Sequence, residues 1–178
     1  MTAYVIFHLI ERYGLNEQKE MIKILPNCAT LNGTSANLLP GDTLSVWELL
    51  HGMMLPSGND SAQALAVHFG ILLMREKLLH VAKKAGGVQN IDIWQADILK
   101  LEMKNYLWID NRQDIIDCAL VEFYTEMNLA SQKMKLRNTN FLSAHGMHHD
   151  KNYSSALDIA VVSYHCMKNW SFQNIVKT

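Results

Sequence analysis

Two side chains with chemistry to offer, Ser57 and Asn59, stand on either side of Gly58 in a polar loop between two apolar stretches. A hydroxyl can relay a proton, and an amide can hold a lysine with its oxygen and a carbonyl with its nitrogen. With only a glycine between them, both are expected to project from the loop into one cleft. Ser, Gly and Asn are also ordinary turn residues. The meaning of the pair therefore depends on the elements that carry it.

Those elements lie in the stretch from Leu39 to Ala66, LPGDTLSVWELLHGMMLPSGNDSAQALA. A Pro40-Gly41-Asp42 turn leads to Ser45, which with Glu48 forms a capping box that opens a helix to about Met54. Asp60 or Ser61 opens the next helix, where Ala62, Leu65, Ala66 and Phe69 make an inward stripe. Upstream, residues 1–13 are apolar nearly all round, as in a buried helix, and Gly14 is a natural stop. Between Glu20 and Leu39, Pro26, Gly33 and several Asn and Thr residues break up short apolar runs, which predicts irregular chain with a small hairpin. Downstream, Ile116, Ala119, Leu120, Phe123, Met127, Ala130 and Met134 mark an amphipathic helix. Leu136 to Leu142 reads as a short extended piece, and Ser155 with Asp158 as a second capping box starting a helix to about Lys168. With no internal repeat, low-complexity tract or linker, the expectation is five to seven helices with little sheet: a mainly α fold in one domain.

The motifs in order resemble the low-molecular-mass penicillin-binding proteins, the serine D-alanyl-D-alanine carboxypeptidases, which are related to the serine β-lactamases. Leu55-Pro56-Ser57-Gly58-Asn59-Asp60 is similar to the family's Leu-x-Ser-Gly-Asn-Asp, which follows a Gly-Asp turn and precedes an alanine-rich helix. Met1-Thr2-Ala3-Tyr4-Val5 resembles the helix after the family's nucleophile motif. Residues 123–141, FYTEMNLASQKMKLRNTNF, resemble a later helix and strand. His145-Gly146-Met147 and Tyr153-Ser154-Ser155-Ala156-Leu157-Asp158 resemble His-Gly-Leu and Tyr-Ser-Thr-Ala-x-Asp. The resemblance implies the helical subdomain of that fold, with most of the five-stranded sheet, normally assembled from both chain ends, missing. It covers residues 1–178 as a single partial domain with a non-family insert at about 74–117, which carries Trp94 and Trp108. That insert either packs back on its own domain or offers an exposed patch to a partner.

The family acts by acyl transfer through three motifs, S-x-x-K, S-D-N and K-T-G. The resemblance makes Ser57 and Asn59 a remnant of the second, which moves the proton and holds the substrate. No serine of this sequence has a lysine three residues later. Lys177-Thr178 is the one Lys-Thr pair, with no glycine after it. Nucleophile, base and oxyanion strand are thus not among these residues, and Ser57-Gly58-Asn59 reads as a helix-joining turn kept from an ancestor. The implied role is a non-catalytic structural or binding subunit among other protein chains. The alternative is a fragment of an active serine-type D-Ala-D-Ala carboxypeptidase or related hydrolase.

Composition sets further bounds. Of the 178 residues, 49% are hydrophobic and 19% charged, which suits a globular chain with a real core. A net charge of −1 gives no reason to expect nucleic acid as partner. No apolar run is long enough to span a bilayer, and Met1 to Ile10 lacks the pattern of a signal peptide. The expected location is therefore intracellular, although the family usually works outside the cytoplasm. Cys28, Cys118 and Cys166 are scattered, which favours free, mostly buried thiols. His145, His148, His149 and Asp150 match no zinc spacing, and His8, His51, His68, His80 and His165 sit singly on helices as satisfied or surface residues. Neither cofactor nor metal is expected. Without the sheet, apolar faces at Tyr4, Phe7 and residues 155–168 would meet water, so either the insert around Trp94 and Trp108 or another protein chain is expected to cover them.

Overall fold

Apolar density decides where the first helix goes. In the computed structural model, which describes residues 1–84, 109 and 112–177, α1 (Thr2–Tyr13) buries Ala3, Val5, Ile6, Phe7, Leu9 and Ile10. Gly14 ends it at φ 63°, a left-handed conformation that glycine adopts without steric cost.

The chain then makes a short sheet. β1 (Met21–Lys23) pairs antiparallel with β2 (Thr43–Ser45), with Ile22 opposite Leu44. The small hairpin expected between Glu20 and Leu39 does not form, because the partner strand lies beyond Leu39. Pro26 cannot donate to a ladder, and it sits in the first turn of α2 (Pro26–Ala29), so β1 must find its partner further on. The Ile24 amide reaches the Asp42 carbonyl at 2.8 Å, and the Gly41 amide the Ile24 carbonyl at 2.8 Å, which zips the two ends of the long connection together.

α3 (Val46–Met54) begins where the capping box places it. The Glu48 amide donates to Ser45 Oγ at 3.2 Å, and the Ser45 amide donates to Glu48 Oε2 at 2.8 Å. α4 (Asn59–Lys84) starts one residue before the expected Asp60. Its stripe Ala62, Leu65, Ala66 and Phe69 is buried, and so are Val67, His68, Ile71 and Leu73. The first half of α4 is therefore enclosed on nearly every side. The helix continues through Met74 to Lys84, while Trp94, Trp108 and the Gly86-Gly87 break lie outside the described residues.

α5 (Gln113–Lys133) lies against α4 with Ile115, Ile116, Ala119, Leu120, Phe123, Met127 and Ala130 turned inward. The crossing is close: a Cβ on Gly70 would stand 2.0 Å from the Ala119 carbonyl oxygen. After α5 the extended piece makes a single bridge, Asn140 to Tyr153. α6 (Ala156–Cys166) has Ser155 as its cap, accepting from the Asp158 amide. The expected second capping box is only half made. The Asp158 carboxylate instead takes the Asn138 amide at 2.8 Å and the Thr139 hydroxyl at 2.7 Å. α6 stops at Cys166 rather than near Lys168, and a further helix, α7 (Trp170–Val176), is capped by Asn169.

Among the described residues the architecture is mainly helical with one two-stranded sheet. The principal core joins α1, α3, α4 and α5, and a smaller cluster of Leu136, Val162 and Cys166 packs with Met1, Tyr4 and Phe172. Phe7 is buried, with the Phe172 ring edge-on at 6.3 Å; α7 thus supplies cover that had been expected from the insert or another chain. α6 does not share it: Leu157 is 74% exposed and Tyr164 62%. No described helix is long and apolar enough to cross a membrane.

Candidate functional site

The loop that joins α3 to α4 is fixed by hydrogen bonds at Leu55, Ser57 and Gly58. The Leu55 amide closes α3 on the His51 carbonyl at 2.9 Å, and the Gly58 amide returns to the Gly52 carbonyl at 3.0 Å. Between them Ser57 takes φ 57°, a left-handed conformation that costs a non-glycine residue about 1–2 kcal/mol. Gly58 meets a spatial demand instead. A Cβ there would lie 2.6 Å from the Gly52 oxygen, 2.7 Å from Asp60 Oδ1 and 2.8 Å from the Ala36 nitrogen.

A second loop, residues 32–38, clamps the first. The Asn59 amide nitrogen donates to the Thr34 carbonyl at 2.8 Å, and its side chain donates through Nδ2 to the Asn32 carbonyl at 2.8 Å. The Thr34 hydroxyl donates to the Ser57 carbonyl. Gly33, at φ 95°, is the residue that lets Asn59 in, since a Cβ there would stand 2.5 Å from Nδ2. Asp60 holds the rest of the loop. Its carboxylate accepts from Ser35 Oγ at 2.6 Å, the Ala36 amide at 2.9 Å and the Leu38 amide at 3.1 Å. Burial pushes this carboxyl upward, but the hydrogen bonds from Ala36, Ser35, Leu38 and Ser61 outweigh it and hold it below its ordinary value.

A third loop reaches the same place. The Met147 sulfur comes within 3.8 Å of where a Gly33 Cβ would be. Ser143 Oγ accepts from the Gly146 amide at 3.2 Å, and His145 Nδ1 accepts from the Met147 amide at 3.2 Å. Burial lowers the pKa of His145. On its other side this loop touches the first turn of α1, where the Thr2 hydroxyl donates to the Ala144 carbonyl at 2.7 Å. Three loops and the start of α1 thus form one continuous constellation.

Ser57 and Asn59 sit in this constellation but are not presented alike. Ser57 is exposed, while Asn59 is 5% exposed, with its amide committed to Asn32. What this arrangement can do is hold a backbone in one conformation and offer a single hydroxyl to solvent. The clamp formed by Asn32, Gly33, Thr34 and Asp60 was missed in the sequence, where L-N-G-T-S resembled any turn.

The remaining candidates are placed more simply. Cys28 and Cys166 are buried and Cys118 exposed, all three free; burial pushes the Cys28 thiol up to about 12, which makes it a poor nucleophile. His68 is buried 3.3 Å from Glu20 Oε1. His149 Nδ1 accepts from the Lys151 amide at 3.1 Å, and His148 lies 3.6 Å from Asp150 on the open surface.

Residues 114–178 match the family model of the D-alanyl-D-alanine carboxypeptidases. A D-alanyl-D-alanine carboxypeptidase of Streptomyces sp. strain K15 is 28% identical over 145 residues, 82% of this chain and 36% of that protein. The D-alanyl-D-alanine carboxypeptidase DacF of Bacillus subtilis strain 168 is 22% identical over 177 residues, 99% of this chain and 32% of that protein. Among solved structures, the Streptomyces K15 DD-transpeptidase matches with a TM-score of 0.66 at 25% identity, over 99% of this chain and 53% of that one. The carboxypeptidase DacD of Francisella tularensis shares the fold, with a TM-score of 0.63 at 22% identity, over 95% of this chain and 29% of that one. The chain spans about a third of the length of these curated relatives.

Proposed function

We propose that this homologue of the D-alanyl-D-alanine carboxypeptidases is a non-catalytic structural or binding subunit of a larger assembly. The observation that carries the reading is the state of the second-motif turn. Acyl transfer through a serine needs a nucleophile, a base within hydrogen-bond reach and donors for the oxyanion. Among these 178 residues no serine heads an S-x-x-K. At the turn itself, the Asn59 Nδ2 that would hold a substrate carbonyl donates to the Asn32 carbonyl instead. What remains is a rigid junction between α3 and α4, suited to presenting a surface.

A second reading draws on the span of the matches. The chain covers 36% of one carboxypeptidase and 53% of one transpeptidase structure, so the same residues would also suit the helical portion of an active serine-type D-Ala-D-Ala carboxypeptidase or related hydrolase. Incubation with a fluorescent penicillin, followed by intact-mass spectrometry, separates the two. The subunit reading expects no covalent label on the 178-residue chain; a stoichiometric adduct overturns it and directs attention to Ser57. Full-length transcript sequencing that found an S-x-x-K segment joined upstream of Met1-Thr2-Ala3 would favour the second reading.

A further inference from the structure

Asn32-Gly33 is the one Asn-Gly pair of the sequence, and it lies within the clamp on the α3–α4 turn. Asparagine followed by glycine has an easy route to self-modification. The main-chain nitrogen of the second residue attacks the side-chain carbon of the first, and glycine leaves that nitrogen unshielded because it has no Cβ. In a folded chain the asparagine side chain must be free to turn, and the attacking amide must be open to deprotonation by solvent.

Both conditions are met. Asn32 and Gly33 are exposed, and among the described residues neither the Asn32 side chain nor the Gly33 amide has a hydrogen-bond partner. Other asparagines are held. Asn59 is buried with its Nδ2 on the Asn32 carbonyl, Asn128 Nδ2 donates to the Phe141 carbonyl at 2.8 Å, and Asn169 Oδ1 accepts from the Phe172 amide at 2.9 Å. Asn37 is exposed but precedes Leu38, whose side chain hinders attack by its nitrogen. Nor is Gly33 replaceable, since a Cβ there would stand 2.5 Å from Asn59 Nδ2. The clamp therefore requires the very residue that makes Asn32 reactive.

We propose that Asn32-Gly33 is a self-modification site whose conversion to isoaspartate unlocks the turn that carries Ser57 and Asn59. The Gly33 nitrogen, losing its proton to solvent, bonds to Asn32 Cγ. The C–N bond of the side-chain amide breaks, its nitrogen leaves as ammonia, and a succinimide ring results. Water then opens the ring. Attack at the former main-chain carbonyl breaks its bond to the Gly33 nitrogen, leaves a carboxylate on Asn32 Cα and routes the chain through Cβ and Cγ. One water is consumed and one ammonia released, with no oxidant or reductant.

Isoaspartate matters at this position because Asn59 grips the chain on both sides of Gly33. Its Nδ2 donates to the Asn32 carbonyl and its main-chain amide to the Thr34 carbonyl, each at 2.8 Å. The modified main chain is one carbon longer, and the Asn32 carbonyl becomes part of a charged side branch no longer bonded to Gly33. The two bonds cannot both keep their geometry. A buried donor that loses its acceptor destabilises its surroundings, and the grip on the turn is released.

The test keeps the purified 178-residue chain in mildly alkaline buffer at physiological temperature and samples it over weeks. Peptide mapping with electron-transfer fragmentation tells isoaspartate from aspartate. Isoaspartate is expected at residue 32, accumulating several-fold faster than at any other asparagine. The added negative charge lets ion exchange separate modified from unmodified molecules of the same aged sample. Hydrogen exchange at the Asn59 main-chain amide should be several-fold faster in the modified fraction. Asn32→Gln, whose longer side chain closes a ring far more slowly, should keep the slow exchange throughout; should that variant fail to fold, the two fractions of the unaltered chain decide. An intact Asn32, conversion no faster than elsewhere, aspartate without isoaspartate, or isoaspartate with unchanged exchange at Asn59 would each overturn the proposal.

Discussion

Asn59 donates its side-chain Nδ2 to the backbone carbonyl of Asn32 across 2.8 Å, with Gly33 alone between that carbonyl and the next contact at Thr34. This pairing makes Asn59 part of the structural framework and gives Gly33 its constraint. Replacing Gly33 with alanine puts a methyl 2.5 Å from Nδ2 and forces φ 95° on a residue with a Cβ. The expected loss is about 2–3 kcal/mol, from left-handed strain plus displacement of Asn59. Urea denaturation of Gly33→Ala checks it, and an unchanged midpoint would mean that the loop relaxes freely.

Ser57 should respond in the opposite sense. It holds φ 57°, and it caps nothing in the following helix, which starts with Asn59. Ser57→Ala is therefore expected to change stability by less than about 1 kcal/mol. Ser57→Gly should be neutral or stabilising by up to about 1 kcal/mol, because glycine removes the left-handed strain while adding unfolded-state entropy. Chemical denaturation of both variants side by side gives the comparison. A marked destabilisation by glycine would show that the Ser57 side chain has a structural role not visible in its contacts.

How much of this was legible in the sequence depends on how local the signal is. α1, α3 and α5 follow from apolar spacing and from Ser45 with Glu48, which act within one or two turns. β1 and β2 are three residues each, too short for alternation to show, and their pairing spans a connection of long reach. α7 has a cap in Asn169, but it lies beyond the helix expected to about Lys168, and seven residues are too few for a helical period to stand out. The site divided in the same way. S-G-N marked the turn, whereas Asn59 facing inward depends on a carbonyl 27 residues away in sequence, which no local pattern encodes.

Acid should loosen the 32–38 loop first at Asp60. Burial raises this carboxyl, but donation from Ala36, Ser35, Leu38 and Ser61 leaves it below its ordinary 3.8. The folded state therefore binds fewer protons than the unfolded state near that value. Stability from this group is fully present above the unfolded pKa and is lost as pH falls through the folded one. Asp60→Asn should destabilise the protein at neutral pH and flatten the stability curve below about pH 4. Melting temperatures of both proteins between pH 3 and pH 7 check the sign, which is wrong if the variant loses as much stability on acidification as the parent.

The strictest test of the helical framework lies at Gly70. α4 and α5 cross there with a Cβ position 2.0 Å from the Ala119 oxygen, 2.5 Å from its carbonyl carbon and 3.1 Å from its Cα. All three are backbone atoms of a helix interior, so no side-chain rotamer can relieve the clash. Alanine would have to push the helices apart by more than an ångström, opening gaps around Phe69, Phe123 and Ile116, which are 0–1% exposed. Interiors packed at crystal-like density do not absorb that cheaply. Gly70→Ala is expected to cost more than about 3 kcal/mol, a large share of a domain's whole stability. The measurement is the melting temperature with soluble yield. Ala119→Gly is not expected to rescue it, since the obstruction is main chain rather than the Ala119 methyl; rescue by that change would show that the helices meet through side chains instead.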